Sequence, residues 1–202
     1  MPIKQERQYR SMTLSAQPQS DKLLDTDYYV EGYAANYQRY QLWDDEDGGV
    51  WEQFTRENFE GVDLSDVIMQ YNHQGEVFAR CKNGSLIVRT DDRGLFIAAD
   101  LGQTQRGIEI YEMIAKGMVD KMSWSFIPQG MHFDRKTRTI TYDGIKKIFD
   151  VSAVSIPAND TTDIHARSLI DGAIEQAAQE WRLLAKARLK LKIKTITGGK
   201  PL

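Results

Sequence analysis

Cysteine is almost absent from the sequence, which has a single copy, Cys81, in 202 residues. A lone cysteine cannot form an internal disulfide, and without a CxxC pair or a Cys/His cluster the chain lacks the ligand set of a zinc site. These absences predict a protein of a reducing compartment, and we expect no metal or other cofactor.

Long apolar runs are also missing. A membrane-spanning helix needs about 18 to 20 consecutive apolar residues, and no stretch of the sequence approaches that length. The first residues, Met1 to Gln8, lack the apolar core of a secretory signal peptide. We therefore expect a soluble intracellular protein with no membrane partner.

The chain has no excess of positive charge. Its 26 Lys and Arg residues face 29 Asp and Glu residues, for a net charge of -3. Non-specific nucleic-acid binding requires a basic field, so no nucleic-acid partner is expected. Zinc-protease, P-loop and GxSxG motifs are absent, which argues against metal- or nucleotide-dependent chemistry and against the α/β-hydrolase fold.

Composition divides the chain into three parts. Residues 1–26 are polar and predict a flexible N-terminal arm. Residues 27–167 contain the strand and helix patterns and predict the folded domain. Residues 168–202 combine an apolar stripe at helical spacing with many Lys and Arg residues, which predicts a basic amphipathic helical tail. Such stripes commonly pack on another protein helix, so we interpret the tail as a detachable assembly segment.

Most of the central part is predicted to be β-structure. Aromatic and β-branched residues between positions 28 and 37 predict its first strand. Short glycine-containing connections separate three further β-rich segments, which indicates an antiparallel meander. These segments are Glu76 to Cys81, Ser85 to Asp91 and Leu95 to Leu101.

One segment changes to helical spacing. Apolar residues three or four apart predict a helix between Gln103 and Lys116, with Thr104 as its N-cap and Gly117 as its stop. After it, glycines predict turns near Gly130 and at 143–144. Many short strands with one central helix favour an α+β fold, a β-barrel or sandwich with helical decoration.

The stretch from Gly117 to Pro128 places two serines within an apolar run. Side chains alternate between the faces of a strand, so Ser123 and Ser125 point to one face and Met122, Trp124 and Phe126 to the other. Two interpretations follow. A serine held on a rigid strand is a candidate nucleophile, or the two serines form the solvent side of a half-buried strand.

A carboxylate lies on the last predicted strand, from Gly144 to Pro157. Strict alternation places Asp150 on one face with Ile148, Ser152 and Val154. Burying an unpaired carboxylate costs several kcal/mol, so we expect a partner for Asp150. The alternative is an exposed edge position, or pairing with lysine 146 or 147 of the same strand.

A histidine completes the set of residue types needed for nucleophilic catalysis. His73 follows a short apolar run, at the end of a predicted strand beside Gly75. A serine hydroxyl needs a general base within hydrogen-bond reach and a third group that orients this base. Ser123, His73 and Asp150 are the right types for these roles.

Other residues compete for these roles. Cys81 with His73 is a rival nucleophile and base, although a lone cysteine in a β-rich segment is more often simply packed. His132 and His165 lie in turn-like or post-strand segments. Only His165 is a further candidate, as the third member in place of Asp150.

Taken together, the order of the segments resembles the caudoviral (HK97-type) prohead serine protease family, whose members mature the phage capsid. The resemblance covers roughly residues 28–167, and it depends on the order and spacing of several short pieces. These are Val30-Glu-Gly-Tyr-Ala-Ala, Tyr71-Asn-His-Gln, Asp92-Arg-Gly-Leu-Phe-Ile-Ala-Ala-Asp-Leu, Gly117-Met-Val-Asp-Lys-Met-Ser-Trp-Ser-Phe and Phe149-Asp-Val-Ser-Ala-Val-Ser-Ile-Pro-Ala-Asn-Asp.

The resemblance implies a herpesvirus-assemblin-like fold, mainly an antiparallel β-barrel with surrounding helices, and catalysis by Ser, His and an acidic residue. Carried over by position, Ser123 is the nucleophile, His73 the general base and Asp150 the acid that orients the imidazole. A positioned base contributes on the order of 10²–10⁴-fold to the rate.

The resemblance also implies partners and a place of action. The expected function is a prohead maturation serine endopeptidase that cleaves scaffold or major capsid protein segments and its own ends, inside the assembling prohead in the host cytoplasm. A homodimer is a further expectation. The alternative is a non-catalytic capsid assembly or scaffolding protein that keeps the same fold and binds capsid subunits through its basic C-terminal helix.

Two departures from the family pattern bear on the site. Ser125 occupies a position where the family usually has a small residue, often Gly, so the second serine could crowd the site or compete for the base. The segment after His73 also differs from the family pattern, and Arg80 is the part of it that still matches this pattern. The oxyanion donors stay open between backbone N–H groups and Arg80.

Overall fold

The computed structural model describes residues 8–16, 21–45, 47–155 and Leu183. These residues form ten strands, one α-helix and two short 3-10 turns, Arg56–Phe59 and Cys81–Asn83. The strands and helix are β1 (Gln8–Ser15), β2 (Tyr29–Asn36), β3 (Tyr40–Asp45), β4 (Gly48–Glu52), β5 (Ile68–Tyr71), β6 (Gln74–Arg80), β7 (Leu86–Thr90), β8 (Gly94–Asp100), α1 (Gln105–Ala115), β9 (Lys121–Asp134) and β10 (Thr139–Val154).

The strands follow one another in the order β3, β4, β10, β9, β1, β2, β8 and β7. Most neighbours are antiparallel, but β10 pairs in parallel with two short strands along one edge, through 139–140 with β4 and through 150–153 with β5. β5 in turn pairs with β6, so the β5–β6 hairpin is attached to the C-terminal end of β10.

The prediction of a mixed α+β fold built mainly from antiparallel strands is confirmed. Within the described part of the chain, however, the sheet does not close into a barrel, because β3 and β7 stand at opposite ends of the strand order. Only one α-helix is described there, rather than a surrounding set. The assemblin likeness stays a prediction, and the predicted helical tail lies outside the described residues except for Leu183.

The N-terminal segment contributes a strand, where composition predicts a flexible arm over residues 1–26. β1 pairs antiparallel with β9 from Gln8 to Thr13 and then with β2 through Leu14 and Ser15. The predicted arm is therefore wrong for 8–15. The polar residues around position 17 dominate the local composition, whereas pairing first with β9 and then with β2 satisfies backbone groups of the strand and outweighs weak local propensity.

A buried ion pair anchors β1 to the rest of the sheet. The guanidinium of Arg10 binds both carboxylate oxygens of Glu52 on β4, at 2.5 Å for Nη2 to Oε1, and donates to Tyr142 Oη at 3.2 Å. The hydroxyls of Tyr40 and Tyr142 also donate to Glu52. Burial acts to lower the pKa of Arg10, but the adjacent Glu52 carboxylate raises this pKa well above its usual value, so Arg10 is charged.

The two longest strands, β9 and β10, form the centre of the sheet. The predicted turns near Gly130 and at 143–144 are wrong, because both strands run through these positions. The register of the ladder shifts at several points between Tyr142 and Asp150 of β10. Each shift leaves a residue unpaired as a β-bulge, and the ladder continues beyond it. The chain reverses instead between Asp134 and Thr139.

The predicted meander is only partly present. β7 and β8 form the expected antiparallel hairpin, but β6 pairs with β5 and not with β7. The 3-10 turn Cys81–Asn83, closed by Gly84 with φ of 77°, carries the chain away from β6 before β7 begins. The Asn-Gly signal therefore marks a turn here that is not a hairpin loop.

The apolar core lies on one side of β9 and contacts the predicted helix. Met122, Trp124 and Phe126 are fully buried, and the ring of Phe54 packs against Trp124 at 5.3 Å between centroids. α1 buries Ile110 and Ile114 in the same core. Thr104 Oγ1 accepts a hydrogen bond from Gly107 N–H at 3.0 Å and Gly117 has φ of 70°, so both predicted helix ends are confirmed. None of the described helices is long and apolar enough to span a membrane.

Candidate active site

The second face of β9 carries Ser123 and Ser125 against polar residues of β10. Ser125 lies directly opposite Asp150, and Ser123 lies opposite Ser152. Directly opposed residues of a ladder project to the same face, so these four side chains share one surface, here called the serine face. All four are fully buried. The interpretation of the serines as the solvent side of a half-buried strand is therefore wrong.

A β-bulge at Phe149 determines which face Asp150 occupies. Ile148 pairs with Phe126 and Asp150 with Ser125, so β10 uses one residue more than β9 across this step. Strict alternation predicts that Ile148 and Asp150 share a face, and this prediction is wrong. The bulge leaves Ile148 opposite core residue Phe126 and turns the carboxylate toward the serines.

Asp150 accepts hydrogen bonds from three side chains. His73 Nδ1 contacts Oδ1, Ser125 Oγ donates to Oδ2, and Ser152 Oγ donates to Oδ1 at 2.9 Å. The expectation of a partner for this carboxylate is confirmed. The alternative of an exposed edge is wrong because Asp150 is fully buried, and Lys147 Nζ pairs with Asp63 at 3.0 Å.

His73 occupies a tight turn between β5 and β6. Tyr71 pairs with Gln74, so Asn72 and His73 form a two-residue loop, with φ of 51° and 58°. Positive φ at both central positions is typical of a type I′ hairpin turn, which favours Asn first and Gly second. A histidine in this left-handed backbone conformation is strained, whereas glycine is not. Backbone strain of this kind is concentrated at functional sites.

The same turn is tied to the end of β10. Asn72 N–H donates to the Ala153 carbonyl at 2.9 Å, and Ser155 N–H donates to Asn72 Oδ1 at 3.1 Å. Together with the parallel β5–β10 ladder, these bonds fix the position of the turn relative to β10. The imidazole of His73 can therefore meet Asp150, although the two residues are 77 positions apart in sequence.

The contact between His73 and Asp150 determines what the imidazole can do. A carboxylate acceptor at Nδ1 places the proton on Nδ1, which leaves Nε2 of the neutral ring as the basic nitrogen. His73 is mostly buried, with 12% of its side chain exposed. The pair thus has the arrangement of a general base held by an acid.

Ser123 lies two residues along β9 from Ser125, about 6 to 7 Å away along the strand. Its Oγ is buried and makes no hydrogen bond to any residue that the structure describes. Ser125, by contrast, uses its hydroxyl proton in the bond to Asp150. The two serines, which alternation cannot distinguish, therefore differ in their surroundings.

The rival residues, and Arg80 as a candidate oxyanion donor, lie elsewhere or have other partners. Cys81 follows the far end of seven-residue β6, roughly 25 Å along the strand from His73, and burial raises the pKa of its thiol. His132 is exposed and contacts Asp143 at 2.6 Å. Arg80 forms a two-pronged ion pair with Asp66, at 2.6 Å for each contact. His165 lies outside the described residues.

Sequence reasoning missed the contribution of Ser152 and the partner of Ser125. Ser152 could have been found, because it lies two residues from Asp150 on the same strand face. The partner of Ser125 could not, because it depends on the register between β9 and β10. As for metals, no cluster of three or more His, Cys, Asp and Glu side chains occurs within the ranges described above.

Comparisons with known proteins identify a family for the chain. No curated protein and no solved structure gives a significant match to the chain. A family model, described as caudovirus prohead serine protease, matches residues 16–176 of the 202. The match spans β2 to β10 and includes His73, both serines and Asp150. The chain belongs to the caudovirus prohead serine protease family.

Proposed function

We propose that the protein is a prohead maturation endopeptidase in which Ser123 is the nucleophile, His73 the general base and Asp150 the orienting acid. Family membership supports a serine peptidase. The observation that carries the assignment of residues is the buried contact between His73 Nδ1 and Asp150 Oδ1, on the strand face that also holds Ser123.

The proposed reaction follows from this geometry. Ser123 Oγ attacks a peptide carbonyl while His73 Nε2 takes the hydroxyl proton, and His73 then returns this proton to the leaving amine. Water repeats the sequence to release the acyl group from Ser123. Asp150 keeps the proton on Nδ1 and stabilises the imidazolium formed in each step.

Ser123 is preferred over Ser125 because of where each hydroxyl proton is used. A nucleophilic serine must donate its proton to the base, and a hydroxyl has only one proton to donate. Ser125 donates to Asp150 Oδ2. Ser123 has no such bond within the described residues, and contacts to the base commonly tighten only when substrate binds.

The proposed substrates are segments of the scaffold and of the major capsid protein, together with the ends of the protease chain itself, inside the assembling prohead. Family membership supports this setting. A homodimer is also proposed, from the assemblin resemblance. Sedimentation of the purified protein at several concentrations tests it, and a single monomeric species at all of them contradicts it.

The assignment of residues is tested with a fluorophosphonate probe and with capsid protein co-expressed as substrate. Ser123→Ala is expected to abolish both labelling and processing while the thermal unfolding midpoint stays near that of the wild type. His73→Ala is expected to abolish labelling. Ser85→Ala is the matched control, because it removes a buried serine hydroxyl on the loop before β7 and should leave labelling intact.

Two outcomes contradict the proposal. Normal processing by Ser123→Ala, with Ser125→Ala inactive, would move the nucleophile to the second serine. Absence of labelling in wild-type protein within assembled particles would favour the alternative, a non-catalytic assembly or scaffolding protein with the same fold.

A further inference from the structure

The carboxylate of Asp150 is held through both of its oxygen atoms. His73 and Ser152 bind Oδ1, and Ser125 donates to Oδ2 from the neighbouring strand. Donors on both oxygens fix the rotation of the carboxylate plane, which the contact with His73 alone does not. The direction of Oδ1 toward the imidazole therefore depends on Ser125.

The two serines reach Asp150 for reasons built into the strands. Ser125 is the residue directly opposite Asp150 in the antiparallel ladder, where Cβ atoms lie about 4.5 to 5.5 Å apart. Ser152 is two residues along β10 on the same face. The bulge at Phe149 establishes the relation to Ser125, because it turns Asp150 away from the Ile148 side of the strand. The relation to Ser152 follows from ordinary alternation along β10.

Burial makes these hydrogen bonds energetically important. Asp150, Ser125 and Ser152 are fully buried. A carboxylate that is buried from solvent needs hydrogen-bond donors from the protein in order to stay ionised. Hydrogen bonds to a charged acceptor are stronger than those between neutral groups. Both hydroxyls therefore stabilise the ionised form of Asp150 in the orientation that binds Nδ1.

We infer that Ser125 and Ser152 are positioning residues of the protease, which hold Asp150 ionised and aimed at His73. This inference rests on the proposed function. Ser125 is then part of the catalytic arrangement through Asp150 and is not a competing nucleophile.

The test measures the rate of fluorophosphonate labelling against pH for the full chain and its variants. Ser125→Ala is expected to lower the maximal labelling rate about 10- to 100-fold, the factor that corresponds to a hydrogen bond to a charged group. Ser152→Ala should act in the same direction. Ser125→Thr, which keeps a hydroxyl at this position, should retain most of the wild-type labelling rate.

The pH profile separates positioning from packing. In Ser125→Ala, Ser152 and His73 still donate to Asp150, so the carboxylate stays ionised. Without the Ser125 donor its negative charge acts more strongly on His73, which favours the protonated imidazole. The base acts only when it is deprotonated, so the midpoint of the acidic limb should move to higher pH in Ser125→Ala. Thr139→Val is the matched control. It removes a buried hydroxyl from the far end of β10, the strand that carries Asp150, and should leave rate and midpoint unchanged.

The possible failures are distinguishable. If Ser125→Ala matches the wild type in rate and midpoint while Ser123→Ala is unlabelled, the positioning role is overturned and the proposed function stands. Mass spectrometry that finds the probe on Ser125 overturns the positioning role and the choice of Ser123 together. Wild-type protein that is never labelled overturns the proposed function, and the positioning role with it.

Discussion

The buried carboxylate of Asp150 accepts hydrogen bonds from a histidine and two serines. These bonds hold it in one orientation. The identity of the acceptor matters as much as its position. An amide of the same size carries no charge and presents N–H donors on one side. Those donors would face groups that are themselves donors.

Asp150→Asn is therefore expected to lower the fluorophosphonate labelling rate on the order of 10³- to 10⁴-fold, because the amide favours the wrong imidazole tautomer. The rate is measured at the pH optimum of the wild type. Asp63→Asn is the control, since it changes a partly exposed carboxylate that pairs with Lys147. An Asp150→Asn rate within tenfold of the wild type would contradict the role given to Asp150.

The residue types of the site could be predicted from sequence, but not all of their contacts. His73 at a strand end and Asp150 in need of a partner follow from local pattern and from the cost of burial. The different surroundings of Ser123 and Ser125 do not follow, because alternation treats the two serines alike. Only the register with β10 gives Ser125 its acceptor.

At the level of elements, local signals located most strands and both ends of α1. They failed where pairing between distant segments decides the structure. The bulge at Phe149 puts Ile148 and Asp150 on opposite faces, where alternation predicts a shared face. The meander prediction assigned β6 the wrong neighbour. β1 was missed because its stability comes from pairing with β9 and β2, which local composition does not report.

The anchoring of β1 gives a prediction for stability. Arg10→Ala leaves the carboxylate of Glu52 buried without its ion-pair partner, which is expected to lower the free energy of unfolding by about 3 to 5 kcal/mol. Urea titration of the full chain measures this change. Arg56→Ala, which breaks the exposed pair with Asp92, should cost about 1 kcal/mol or less. Equal effects of the two variants would show that the buried pair does not anchor the strand.

Across the whole molecule, the candidate site joins segments that are far apart in sequence. The parallel pairing of β5 with β10 and the pairing of β1 with β9 are both long-range, whereas β7 and β8 form a local hairpin. Long-range pairs form slowly, because the loop between them must close before any contact forms. The site should therefore be among the last parts to assemble.

Refolding from denaturant tests this order. Pulse hydrogen exchange should show protection of the β7–β8 hairpin before protection of β10, and fluorophosphonate labelling should begin only with the β10 phase. Ser123→Ala, refolded in parallel, controls for non-specific labelling. Labelling that precedes protection of β10 would show that the parallel β5–β10 ladder is not needed for reactivity.

The distance along the chain between His73 and Asp150 has a consequence during synthesis. The two residues are 77 positions apart, so at about 5 to 20 residues per second a ribosome adds Asp150 roughly 4 to 15 seconds after His73. A nascent chain holds its histidine without the acid throughout this interval. Translation itself therefore delays assembly of the histidine–aspartate pair until nearly the whole domain has been made.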